Sequence, residues 1–197
     1  MADLANELEL PKGTVYGILR TLQTVGFVEQ DSDSGKYQLG AALLRIGSSY
    51  LDGNELRRRA LGWADVLATQ TAESVRIGTL HDDLVLIVHH VFRPDDSLQT
   101  LEIGTVLPVH TTALGKALVG HRQVADRGWT SEVGELLPGM ASIAAPIENR
   151  KRLVMGAVAV SGAIDRLCHD RVPRSELAAH VMACARAISR DLGATVC

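Results

Sequence analysis

Apolar residues recur at helical spacing through the first part of the chain and then give way to β-rich runs. Leu4, Ala5 and Leu8 occupy i, i+1 and i+4, one face of a short helix. Pro11 fits a turn or a first helical position, where its missing N–H costs nothing. Gly13 or Thr14 then opens a second helix with a buried stripe of Val15, Ile18, Leu19, Leu22 and Val25, and Gly26 stops it. Phe27–Gln30 and Lys36–Leu39 form two short strands around the turn 31–35. Helix, turn, helix and hairpin in that order make a winged helix-turn-helix over residues 1–40; the plainer alternative is a helical pair with a hairpin and no ligand. If the first holds, Pro11, Lys12, Thr14, Tyr16, Arg20, Thr21 and the wing residue Lys36 are the types that meet phosphates and base edges. Such a module needs a further helix at its back, so the pattern also predicts a DNA-binding domain truncated at its N-terminus.

Helical spacing resumes over residues 41–54, where Leu43, Leu44, Ile46 and Leu51 suggest a linker helix that meets its copy in a partner chain. Residues 55–197 then read as one larger domain. It opens with a helix over Glu55–Ala72 carrying Leu56, Ala60, Trp63, Ala64 and Leu67 on one face. Ser74–Leu80, Leu84–Phe92 and Leu98–Ile103 follow as strands, and a short helix begins near Thr111 or Thr112, either of which suits an N-cap. Met140–Pro146 and Leu153–Ser161 form another strand pair, and Pro173 opens a last helix that ends at Gly193. The sum is an α+β fold, an antiparallel sheet flanked by helices behind a small head.

Composition narrows the class. With 197 residues, 46% hydrophobic and 22% charged, the chain can bury a real core. No apolar run approaches membrane-spanning length, and Met1–Leu4 has no leader-like n-region, so the protein is expected to be cytoplasmic. Three widely spaced cysteines suggest reduced thiols rather than a disulfide framework. Net charge is −3, and residues 1–40 set Lys12, Arg20 and Lys36 against Asp3, Glu7, Glu9, Glu29, Asp31 and Asp33. Phosphate contacts drive DNA affinity, so one such head binds weakly and at least a dimer is expected. The stretch from Lys12 to Val25 nonetheless holds two cations and no acid.

The segments LPKGTVYGILRTLQTVGFVEQDSDSGKYQLG, LPVHTTALGKAL and GMASIAAPIENRKRLVMGAVAVSGAIDRL, in this order, resemble the IclR family of bacterial transcriptional regulators across nearly the whole chain. The resemblance implies a winged-helix head, a dimerising linker helix and a GAF-like effector-binding domain over 55–197. It also implies homodimers, commonly paired into homotetramers, that bind double-stranded operator DNA and a small-molecule effector. Ligand positions carried over from the family fall at Ala113 and Leu114, at Glu132, Met140 and Ser142, and at Ala159 and Ser161. Thr112 at the helix start and Leu98 and Thr100 on the strand opposite are expected as further wall. A helix start offers free N–H groups to a ligand, while Glu132 repels a second carboxylate; together these favour a polyol or its phosphate, or a neutral aromatic, over a diacid. Members of the family carry a longer stretch where Val124 here runs into Ala125, so residues are expected to be missing at that junction.

Other chemistry is poorly supplied. His89 and His90 are neighbours on a strand and point to opposite faces, and Cys168-His169-Asp170 is too local to make a tetrahedral metal site. There is no Gly-x-Ser-x-Gly elbow and no phosphate-binding loop, since Gly115-Lys116 is followed by Ala117. No catalytic residue, metal or cofactor is expected, and the chain is not read as an enzyme. Two functions stay open: a transcriptional regulator that senses a metabolite, or a ligand-sensing adaptor whose head no longer binds DNA.

Overall fold

A computed structural model describes residues 2–95, 97–120 and 122–194. Two compact units emerge, Met1–Gly53 and Asn54–Cys197. In the first, α1 (Ala2–Glu7) and α2 (Lys12–Thr24) precede a hairpin of β1 (Val28–Gln30) and β2 (Tyr37–Leu39), followed by α3 (Ala41–Gly53). The core of this unit is small: Ala5, Val15 and Leu19, with Leu4, Val28 and Tyr37 packed against them. It is too small to cover a full helical stripe, so Ile18 and Val25, expected to be buried, are about half exposed. α2 begins at Lys12, one residue ahead of the expected Gly13, because Pro11 in an extended conformation already supplies the N-cap position. The wing closes on α3 through one close approach. A Cβ on Gly40 would lie 2.1 Å from the carbonyl oxygen of Gly26, so only glycine fits.

The second unit starts with α4 (Glu55–Thr71), capped by Asn54, whose side-chain oxygen accepts the Arg57 N–H at 2.9 Å. β3 (Ser74–His81) and β4 (Leu84–Val91) form a hairpin, followed by β5 (Val106–Pro108), α5 (Ala113–Leu118), α6 (Arg122–Arg127) and β6 (Thr130–Val133). β7 (Met140–Glu148) and β8 (Val154–Ala163) lead through α7 (Ile164–Leu167) and the short ladder β9 (Cys168–His169) and β10 (Val172–Pro173) to α8 (Ser175–Asp191). The main sheet has six antiparallel strands in the order β5-β4-β3-β8-β7-β6. α4 and α8 pack on one face, over residues such as Val75, Ile77, Ile143 and Val158. α5 packs on the other, where Val85, Ile87, Ala144, Ala157 and Ala159 meet Ala113, Leu114 and Ala117. Each fully buried aliphatic side chain contributes about 1.5–3 kcal/mol.

Three expectations need correction. Residues 98–103 are not a strand. The free edge of β4 is taken by the segment after them: Ile87 N–H donates to the Thr105 carbonyl and the Ile87 carbonyl accepts from Gly104 N–H, at 3.0 and 2.9 Å, and 106–108 continue the ladder. β6, too polar to show alternation, is an additional strand. The last helix begins at Ser175, because Pro173 is spent in β10.

The two strand histidines do face opposite sides. His90 accepts the Glu102 N–H on Nδ1 at 3.3 Å, which leaves Nε2 to donate to the Ser74 hydroxyl at 3.0 Å. His89 faces α4, with both ring nitrogens buried and without a hydrogen-bond partner. Burial lowers the pKa of both imidazoles below the usual value. Cys168 and Cys184 are buried free thiols, and burial pushes Cys184 up to about 12, which makes it inert.

The histidines set a pH dependence. A group protonated less readily when folded contributes stability above its unfolded pKa, about 6.5, and loses it as pH falls from there through the lower folded value. Melting temperature should therefore drop as pH falls below about 6.5. His89→Phe, which removes two unpartnered nitrogens, should keep or raise the melting temperature at neutral pH and flatten that drop. An unchanged acid slope would contradict it.

Candidate functional site

Two surfaces carry the candidate residues. The first is the outward face of α2. Pro11, Lys12, Thr14, Tyr16, Arg20 and Thr21 are all exposed, as is Lys36 beside the wing turn. No acidic side chain lies on this helix. Gly13 and Gly17 sit among these residues with nothing within 4 Å of a would-be Cβ, so the packing of the unit requires neither glycine. A bare, cationic helix surface of this kind admits a phosphate backbone or base edges closely. Thr21 is less available than its exposure suggests, because its hydroxyl donates to the Gly17 carbonyl at 3.0 Å. The wing acid Asp31 is held below the usual carboxylate range by the Ser34 hydroxyl and N–H, so it stays charged within the wing.

The second is a cleft between the sheet and α5. The strand register builds its floor. Ser74 pairs with Ser161, Ser161 with Ser142, and Ser142 with Glu132, which makes one polar row across four strands on the α5 face. The Ser142 and Ser161 hydroxyls lie 2.9 Å apart. Glu132 is buried, and its Oε2 accepts the N–H groups of Glu135 and Leu136 at 3.1 and 3.5 Å. Arg76, two residues along β3 from Ser74, pairs with Glu102 through Nη2, which donates to Oε1 at 2.9 Å, and through Nε, which faces Oε2. The lining therefore contains a neutralised cation and a buried carboxylate, and it offers no excess positive charge.

Thr112, Ala113, Leu114, Glu132, Ser142, Ala159 and Ser161, all expected at a ligand site, line this one cleft. Arg76, Leu107 and Leu136 line it as well and were not foreseen. Met140 starts β7 but lies outside the lining. Leu98 is fully exposed and Thr100 exposed on the irregular segment before β5, and they form no wall, because the strand meant to carry them does not exist. The helix start also offers less than expected. α5 has only six residues, and its Gly115 N–H already donates to the Thr112 hydroxyl at 3.1 Å. Gly115 does not make way for a ligand either, since a Cβ there would lie 2.1 Å from the Val109 carbonyl oxygen.

The cleft is nearly filled, with a cavity volume of only about 10 Å3, on the order of one water molecule. A larger groove of about 370 Å3 lies beside α6 and α8, lined by Val124, Gly128, Pro146, Arg152, Met182 and Arg186 with others. None of the expected ligand residues reaches it. Among the described residues no group of three or more His, Cys, Asp or Glu side chains is placed to hold a metal ion.

Residues 1–32 match the family profile described as the IclR helix-turn-helix domain. Residues 48–126 and 122–190 match, in two pieces, the profile described as bacterial transcriptional regulator IclR C-terminal. The pieces overlap at residues 122–126, which include the Val124–Ala125 junction. The chain is 51% identical over 225 aligned positions, covering 98% of it and 89% of the relative, to the glycerol operon regulatory protein of Streptomyces coelicolor. The corresponding protein of Streptomyces griseus is 47% identical with the same coverage. These alignments are longer than the 197 residues of the chain, so both relatives carry residues that it lacks. A crystal structure of an IclR homologue complexed with 4-hydroxybenzoate, from Microbacterium hydrocarbonoxydans, has a TM-score of 0.80 at 19% identity, covering 98% of this chain and 91% of that one.

The close seat of α5 is open to test. Gly115→Ala should destabilise the second unit by at least about 2 kcal/mol in urea unfolding, since the clash is with backbone that cannot rotate away. A loss under about 0.5 kcal/mol would mean that α5 does not depend on this approach.

Proposed function

The chain belongs to the IclR family of bacterial transcriptional regulators, and we propose that the outward face of α2 contacts its operator while the cleft beneath α5 receives the effector. The protein is a DNA-binding regulator of transcription, and its near relatives are regulators of glycerol operons. The observation that carries the operator assignment is the acid-free, exposed face of α2 in a unit that is otherwise acidic. Lys12 and Arg20 are suited to phosphates or guanine edges, Thr14 and Tyr16 to base edges or backbone oxygens, and Lys36 to the flanking phosphate.

Few cations per head mean that affinity must be gathered from several heads. α3 supports this. None of its residues is buried within its unit, and Leu44, Ile46 and Tyr50 are about half exposed or more. Pairing with the same helix of a second copy covers them, and two such dimers make the tetramer common in the family. The working compartment is the cytoplasm, where the operator is. No helix among the described residues is long and apolar enough to cross a membrane.

The effector class follows from the charge of the cleft. Arg76 is already paired, and Glu132 adds a buried negative charge beside two hydroxyls. A small neutral polyol donates to Glu132 and exchanges hydrogen bonds with Ser142 and Ser161; a diacid meets repulsion. Binding alters operator affinity only as far as the polyol prefers one of two states of the regulator, which defines the coupling free energy.

The operator assignment predicts an anisotropy titration. With a labelled duplex from the protein's own upstream region, affinity should fall steeply with salt. Arg20→Ala should weaken binding several-fold and flatten the log–log salt slope by about 0.9 for each head engaged, the share of one neutralised phosphate per head. A slope near zero, or wild-type affinity in Arg20→Ala, would contradict it.

A further inference from the structure

Lys116, in the Gly-Lys-Ala motif of α5, has a role that neither DNA nor effector contact accounts for. Its side chain is only 12% exposed, and Nζ lies 2.6 Å from both carboxylate oxygens of Glu135. Glu135 belongs to the loop 134–139 between β6 and β7, which covers the cleft with Leu136. Both ends of the loop are glycines in the left-handed region, Gly134 at φ +75° and Gly139 at φ +83°. The ends are tied by backbone: the Gly134 N–H donates to the Met140 carbonyl at 2.8 Å, and the Gly139 carbonyl accepts from Ile164 at 3.0 Å. Between them the loop is held to the domain by the ion pair, by the Glu135 and Leu136 N–H groups on Glu132, and by the Met140 N–H, which donates to the Leu137 carbonyl at 3.1 Å. Leu137 and Pro138 are exposed. Segments attached this sparsely open at far lower cost than the fold as a whole.

We propose that loop 134–139 is a lid over the cleft, latched by the Lys116–Glu135 pair, and that a ligand enters only when the latch opens. The closed cleft has room for about one water, so any organic molecule needs the cover displaced. Glu132 ties the two events together, because the carboxylate that would receive a ligand hydroxyl also holds the amides of the lid. Glu135 is 45% exposed, so salt screens the latch and loosens the lid. The proposal rests on the cleft being the effector site, but opening can be read without any ligand.

A thiol placed on the floor by Ser161→Cys, in a Cys197→Ser background, reports opening through its labelling rate with a small methanethiosulfonate. The buried Cys168 and Cys184 report unfolding in the same sample. Lys116→Ala should speed labelling at position 161 about three- to fivefold, the range of an exposed ion pair, and leave the two native thiols unchanged. Labelling should also rise with salt in the latched protein and become salt-independent in Lys116→Ala. Amide exchange at Glu135 and Leu136, compared between the natural chain and Lys116→Ala, reads the same opening without the introduced thiol. Equal rates with and without the latch, or acceleration of all three thiols together, would overturn the lid. With glycerol as probe, slower amide exchange at Glu135 and Leu136 in the natural chain, which keeps the Ser161 hydroxyl, supports lid and polyol site together. Unslowed exchange there, with the latch effect intact, keeps the lid and rejects the polyol.

Discussion

The second unit depends on how closely α5 lies against the chain that precedes it. Gly115 meets the Val109 backbone where no side chain fits. Gly78 faces Val85 and Leu114 on the same side, where a Cβ would fall 2.6 Å from a Val85 methyl. These absences of side chain lower α5 onto the alanine-rich strands at Ala157, Ala159 and Ala144. They also bring its first turn over Ser142, Ser161 and Glu132. The polar row is therefore covered by a helix and shielded from bulk water. A hydroxyl or carboxylate there is worth more to a ligand than on an open surface, and costs more when left unpaired.

The first unit solves a different problem with fewer means. Three apolar residues form its buried core, and its acids outnumber its bases. Segregation is what serves the proposed operator contact: acids lie on α1, the wing and the flanks, while α2 keeps Lys12 and Arg20 on a face free of them. The small core explains the exposed apolar side chains Ile18, Val25 and Leu44, which a lone unit cannot cover. The proposed pairing offsets both weaknesses, since it multiplies phosphate contacts and buries linker surface.

Much of this was legible in the residues. The 3.6-residue period marked α2, α4 and α8, the β-rich runs marked β4 and β8, and the threonine before Ala-Leu-Gly-Lys marked the cap of α5. The serines and Glu132 came from resemblance, and the register then placed them in one row. What escaped notice depends on distant pairing. Arg76 reads as an ordinary outward charge on a strand until β8 and α5 enclose it. Leu107 and Leu136 sit on an edge strand and a loop with no periodicity to betray them. Leu98, Leu101 and Ile103 suggest a strand, but the β4 edge they needed is taken by 104–108. The short α6 junction, where the family profile breaks in two, carries no local signal of its own and is legible only through the resemblance.

The central claim is that the row beneath α5, and not the wider groove beside α8, takes the effector. Amide chemical-shift mapping with a panel of small polyols tests it directly. The account predicts saturable shifts confined to residues 112–115, 132–136, 142 and 159–161, abolished by Ser161→Ala. Shifts centred instead on Val124, Arg152 and Arg186, undiminished in Ser161→Ala, would contradict it.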